Sequence, residues 1–170
     1  MSMSEEVTLT GDEGRKKIGE LIKDIRICMM TTAGEEGSFD SRPMATQKTE
    51  FDGDIWFLTR NESGKVSEIK DDAHISLLYS DPSGSKYVVA KGRATVNQDK
   101  AKIHELWNPM FRAWFPGGED DPSVAVLKVT ISEAQYWEAS SSKIVMGAKY
   151  LAAAVTGDHS KIGKHGTVKL

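Results

Sequence analysis

A chain of 170 residues, 39% of them hydrophobic, can bury one full core without disulfide or metal staples. A formal net charge of −3 excludes the broad basic field on which duplex nucleic-acid binding rests, and leaves room only for a local pair of cations holding a small anion. The single cysteine, Cys28, excludes an internal disulfide framework, and no apolar run approaches bilayer-spanning length, so a cytoplasmic protein with no membrane partner is expected.

The first strong pattern is helical. Ile18, Leu21, Ile22 and Ile25 recur at i, i+3, i+4 and i+7, and Thr10 with Glu13 has capping-box spacing, which places the helix start near Asp12. Ile27 to Thr32 reads as a buried strand, followed by a loop punctuated by Gly34 and Gly37. Ser41 to Thr49 and Asp54 to Thr59 read as strands joined through the turn Phe51-Asp52-Gly53-Asp54. A short helix is expected from Ser63 to Lys70 with Val66 and Ile69 inward, then a strand from His74 to Tyr79 and a turn at Asp81 to Gly84. Lys86 to Val96 reads as a long strand in which Gly92 marks a bulge or a close approach of backbones. Gln98 to Phe115 reads as helical with a break at Pro109, and Trp107 and Trp114 share a face on that reading. Val124 to Ser132 is the last expected strand, Ile144 to Val155 a helix, and Gly157 to Leu170 a polar tail. Six strands in mostly hairpin order predict an α+β fold, an antiparallel barrel with peripheral helices, within one domain covering residues 1–170. Residues 1–11 and 158–170 are expected to be flexible or dimer-docking ends.

No phosphate-binding glycine motif and no zinc or metalloprotease spacing occurs, and the four histidines are scattered. An enzyme built on its own side-chain nucleophile is therefore not expected, and the catalytic residues stay unassigned. What remains is a set of polar residues at strand ends. Arg42 precedes Pro43, which forces extended backbone there. Thr59 closes a strand, and Ser63-Gly64-Lys65 opens a helix, whose N-terminus offers N–H groups to an anion. Arg42 and Lys65 with the Ser63 hydroxyl suit one phosphorylated ligand. The same residues also read as an ordinary N-cap, an exposed lysine and a surface arginine, and Trp137 as ordinary core packing.

The order of the segments adds a resemblance. Arg42-Pro43-Met44, Ile55-Trp56-Phe57-Leu58-Thr59, Ser63-Gly64-Lys65-Val66, Ile75 to Tyr79, Tyr87 to Ala94 and Ala134-Gln135-Tyr136-Trp137 follow one another as in the pyridoxamine 5'-phosphate oxidase-like, FMN-binding split-barrel superfamily. The chain looks closest to the general stress protein branch, from about residue 12 to 170. The resemblance implies a six-stranded antiparallel split β-barrel, FMN as cofactor, and a homodimer with the flavin at the subunit interface. It implies that Arg42 and Lys65 pair with the FMN phosphate, that Thr59 and Ser63 add hydrogen bonds, and that Pro43, Met44 and Leu58 lie along the flavin. Tyr87 stands where the oxidases carry a flavin-touching Gln, and Trp137 comes from the other subunit. Glu138 to Lys143 replaces the oxidases' substrate-holding Arg-x-His, and Gln47, with Lys48 one residue later, replaces their substrate lysine. The expected function is therefore a flavin-dependent oxidoreductase on a small molecule, with a nicotinamide electron donor plausible, rather than oxidation of pyridoxamine phosphate. A non-enzymatic flavin-binding stress module, a haem- or deazaflavin-binding barrel, and a purely structural barrel stay open.

Overall fold

The computed structural model describes residues 7–47, 50–139, 142–157 and 163–170, the Lys143 side chain apart. In chain order these form β1 (Val7–Thr10), α1 (Gly11–Ile22), β2 (Ile27–Ala33), β3 (Phe39–Ala45), β4 (Asp54–Arg60), α2 (Gly64–Asp71), β5 (His74–Asp81), β6 (Lys86–Asn97), α3 (Lys100–Leu106), β7 (Val124–Ala139), α4 (Lys143–Thr156) and β8 (Gly163–Lys169). The architecture is α+β, a mixed eight-stranded sheet with peripheral helices, ordered β1-β8-β7-β6-β5-β2-β3 with β4 on β7.

Three sequence expectations change. The strands number eight among the described residues, not six, and one pair is parallel. β1 aligns parallel with β8, Val7 opposite Gly166, so part of the expected tail and of the expected N-terminal end is paired strand. These ends are short and polar, and their strand state comes from docking on β7 through β8 rather than from their own pattern. The third change is connectivity. β3 and β4 do not form a hairpin: β3 pairs with β2, and β4 pairs with β7. The turn at Gly53, whose φ is 119°, redirects the chain between strands that are not neighbours.

β7 runs 16 residues, past its expected end at Ser132, because it changes neighbour midway. Its first half, Val124–Thr130, pairs with β4, and its second half, Glu133–Ala139, pairs with β8. β6 follows it throughout, with a register shift at Lys91/Gly92 that leaves Ser132 as the extra residue. There the Ile131 N–H still donates to the Gly53 carbonyl, while the Ser132 carbonyl already accepts from Leu170. Gly92 is required at this bulge, since a Cβ there would collide with the Thr130 backbone.

Val124 to Leu127, at the start of β7, are buried on both faces. Leu127, Val129 and Ile131 join the main core with Phe57, Met30, Leu77 and Ile18, whereas Val124 and Val126 face a second cluster of Leu58, Ile103, Leu106 and Phe115. That second cluster lies under α3, which ends at Leu106 with Trp107 as its C-cap. Pro109 opens a separate 3₁₀ turn, so Trp107 and Trp114 do not share a helix face. Trp107 packs on Phe111 and Phe115 at 5.8 and 6.3 Å, and Trp114 is 59% exposed. Thr10 occupies the α1 N-cap, but its side chain makes no cap hydrogen bond, so the capping box read from spacing is not formed.

Two outcomes test this fold. Gly92→Ala lowers stability by about 2 kcal/mol or more, as strain at a backbone contact does, read from the denaturation midpoint; a variant as stable as the wild type removes the bulge from its central place. Cys28 lies in the main core, and burial pushes its thiol up to about 12. A thiol reagent at pH 8 labels it only as the chain unfolds, and rapid native labelling contradicts that burial.

Candidate functional site

β3 ends the ordered run of strands and β4 hangs on β7 alone, so each has one free edge. α2 lies by both. Its apolar side buries Val66 and Ile69, and its polar residues reach the two strands. Glu68 contacts β2 and β3 through Thr32 and Arg42, while Lys65 contacts Thr59 of β4. The helix thus gathers residues from sequence-distant strands into one cluster.

Arg42 shares a strand face with Met44, since side chains two residues apart point the same way. Met44 is buried in the main core. Arg42 sits at the rim of that face, where a guanidinium needs partners. It finds two: Nη2 donates to Glu68 Oε2 at 2.7 Å, and Nη1 donates to Thr32 Oγ1. Thr32 in turn donates to the same Glu68 oxygen, so three side chains close a ring. Hydrogen bonding from Thr32, and then from Arg42, holds the Glu68 carboxyl below its ordinary 4.5, against the opposing effect of partial burial.

Lys65 Nζ donates to Thr59 Oγ1 at 3.0 Å and reaches Ser63 Oγ at 3.4 Å. Both acceptors are neutral hydroxyls, so the ammonium keeps its full charge. Burial, and secondarily the Arg42 charge, lowers its pKa below the usual lysine value, while Glu68 acts the other way. Ser63 holds the N-cap position of α2, yet its hydroxyl makes no cap hydrogen bond and faces Lys65 instead. The first-turn N–H groups of a helix have no internal acceptor and favour an anion. Two cations, three hydroxyls and a helix start are thus gathered at one place, an arrangement whose chemistry favours a small anion.

The structure therefore brings Arg42, Thr59, Ser63 and Lys65 together. Pro43 is exposed on edge strand β3, where its missing N–H costs no ladder bond. The Met44 and Leu58 side chains belong to the two cores, which leaves main-chain groups as what these positions can offer a ligand. Tyr87 and Trp137 are direct cross-strand partners, each 44% exposed. Stepping across the ladders from Arg42 through Met30, Leu77, Ala90 and Ala134 puts Trp137 roughly 20 Å along the sheet from the phosphate cluster. Gln47 is described, but Lys48 lies outside the described residues.

Sequence reasoning missed Glu68 and Thr32. Glu68 follows Lys65 by one helical turn, a spacing that places both on one helix face. Thr32 had no such signal. It is diagonal to Arg42 only because β2 and β3 pair in the register Met30 to Arg42.

Residues 13–161 match the family model described as pyridoxamine 5'-phosphate oxidase like. Protein bli-3 of Neurospora crassa is 30% identical over 165 residues, spanning 90% of this chain and 78% of that protein. A crystal structure of a candidate general stress protein 26 from Jannaschia superposes with a TM-score of 0.74 at 23% identity, covering 91% of this chain and 97% of that one. The general stress FMN/FAD-binding protein of Xanthomonas citri superposes with a TM-score of 0.64 at 27% identity, covering 75% of this chain and 90% of that one.

The ring at Arg42 has a pH signature. A carboxylate with a depressed folded-state pKa contributes stability in full above its unfolded value and loses it as pH falls through the folded one. At pH 7 the wild type melts above Glu68→Gln, and the gap closes as pH drops below about 4.5. An equal gap at pH 7 and pH 3, measured by thermal denaturation, contradicts a charged pair.

Proposed function

The chain belongs to the pyridoxamine 5'-phosphate oxidase-like family, in the branch of the general stress proteins, and on that premise we propose that it is an FMN-binding flavoprotein acting as a flavin-dependent oxidoreductase on a small molecule. The observation that carries this reading is the convergence of Lys65 and Arg42 with the Thr59 and Ser63 hydroxyls at the start of α2. Lys65 and Arg42 hold the phosphate of the cofactor, Ser63 and Thr59 orient the lysine and offer hydrogen bonds, and the β3 edge at Pro43 and Met44 lies beside the ring. When bound, FMN supplies the hydride or electron chemistry. A nicotinamide cofactor is the electron donor to try first.

The site is completed by a second copy. Met29 and Leu78 are cross-strand partners, as are Tyr87 and Trp137, and all four are exposed on the strands. Such an apolar group suits a subunit interface. With Trp137 roughly 20 Å along the sheet from Arg42 in its own chain, the flavin held at Arg42 meets the partner subunit's Trp137. The reading places the protein in the cytoplasm, in keeping with its lone cysteine. Among the described residues no helix is long and apolar enough to cross a membrane. Glu138, in the segment that replaces the oxidases' substrate motif, is ion-paired to Lys17 at 2.6 Å, which supports a substrate other than pyridoxamine phosphate.

The direct test is the absorbance of the purified protein and its titration with FMN by flavin fluorescence. Binding at micromolar or tighter affinity supports the cofactor; a Soret band points to haem, a deazaflavin spectrum to that cofactor, and a colourless protein that ignores FMN ends the reading. Lys65→Ala and Arg42→Ala each weaken FMN binding by about 1.5–3 kcal/mol, as hydrogen bonds to a charged group do, and wild-type affinity in both removes the phosphate assignment. Bleaching by NADH or NADPH, with turnover of an acceptor, separates an enzyme from a flavin-holding module. Light scattering at micromolar concentration gives a dimer; a monomer removes the interfacial site.

A further inference from the structure

Glu68 puts a negative charge into a cluster otherwise made of Arg42, Lys65 and the hydroxyls of Thr32, Thr59 and Ser63. Its Oε2 takes hydrogen bonds from Arg42 and Thr32 together, and the side chains of Arg42 and Glu68 are each only 22% exposed. Lys65 meets no carboxylate directly among its hydrogen bonds, yet Arg42 and Glu68 both act on its protonation, in opposite directions. The three charges therefore form one electrostatic unit.

The sum of charges decides what that unit prefers. Two cations and one carboxylate leave the ligand-free cluster at +1. A phosphate monoester carries close to two negative charges at pH 7 and takes the cluster to about −1, whereas two cations alone would be balanced. Glu68 thus relieves the repulsion between Arg42 and Lys65 when no ligand is present, and repels a doubly charged phosphate when one arrives.

We propose that Glu68 is a resident counter-anion of the phosphate subsite, which stabilises the ligand-free cluster and sets selectivity by ligand charge, disfavouring doubly charged phosphate monoesters relative to singly charged phosphodiesters. This rests on the phosphate reading above. It is distinct from a role in which Glu68 merely holds Arg42 in place. Gln at position 68 keeps an oxygen that accepts from Arg42 and Thr32 and removes only the charge. A holding role predicts that affinity is unchanged or falls in this variant; a counter-anion role predicts that affinity rises while stability falls.

The wild type and Glu68→Gln are titrated with FMN, FAD and riboflavin by flavin fluorescence, and with inorganic phosphate by thermal shift. The variant binds FMN about tenfold more tightly, as expected for removing one unscreened like charge near the ligand. It gains less for FAD, whose diphosphate bridge carries only one negative charge on each phosphorus, and nothing for riboflavin. Its ligand-free form melts below the wild type at pH 7. Glu68→Ala reproduces the loss of discrimination if the Gln variant folds poorly. FMN binding in the variant that is equal to or weaker than wild type overturns the proposal and leaves the FMN site standing. Failure of both proteins to bind FMN, with inorganic phosphate still stabilising the variant more than the wild type, removes FMN and keeps the role of Glu68. No response of either protein to FMN or phosphate removes both.

Discussion

The bulge where Ser132 has no register partner on β6 and Gly92 lies against the Thr130 backbone is the constraint on which the rest of the molecule depends. A strand that must serve two different neighbours along one edge has to bend, and an extra residue opposite a glycine gives the bend. β7 can then hold β4 on its first half and β8 on its second.

From that bend follow the two cores and the two free edges. β4, carried out on the first half of β7, has one face toward Phe57 and the main core and the other toward Leu58 and the cluster under α3. Its outer edge and that of β3 are both unpaired in the sheet, and α2, packed on β2 and β6, reaches both strands through Lys65 and Glu68. An eight-residue helix is too short to be stable alone. It is held by burial of Val66 and Ile69 on one side and by the Arg42, Thr32 and Thr59 contacts on the other. The polar cluster is therefore also part of what positions the helix that builds it.

The electrostatics have the same double character. Arg42 is on a core-facing row of β3, a position that tolerates a cation only with partners, and Glu68 with Thr32 provides them. Lys65, by contrast, is partnered by hydroxyls, so its charge stays available. One cation neutralised within the fold stands beside one that is not, and the proposed selectivity follows from that asymmetry. Of the apolar side chains left on the strand surface, Met29 pairs directly with Pro43 beside this cluster, whereas Tyr87 and Trp137 lie several strands away, and the proposed flavin site takes its Trp137 from a second copy of the chain.

The sequence alone determined the elements with strong period or punctuation: α1 from the Ile18 to Ile25 stripe, α2 from Ser63 with Val66 and Ile69 inward, the break at Pro109, and the irregularity at Gly92. It also determined that Arg42, Thr59, Ser63 and Lys65 are the residues to examine for a phosphate, because charge, hydroxyl and helix start are local properties. Only the tertiary structure decided that β1 and β8 are strands, that β3 and β4 are not a hairpin, and that β7 continues to Ala139. Each of these depends on which strand supplies the hydrogen bonds, and a partner distant in sequence leaves no mark on local spacing. The same holds for Glu68 and Thr32. Their ring with Arg42 exists because β2 and β3 pair in one register and α2 packs across them, and a register is a property of the fold rather than of the residues taken one segment at a time.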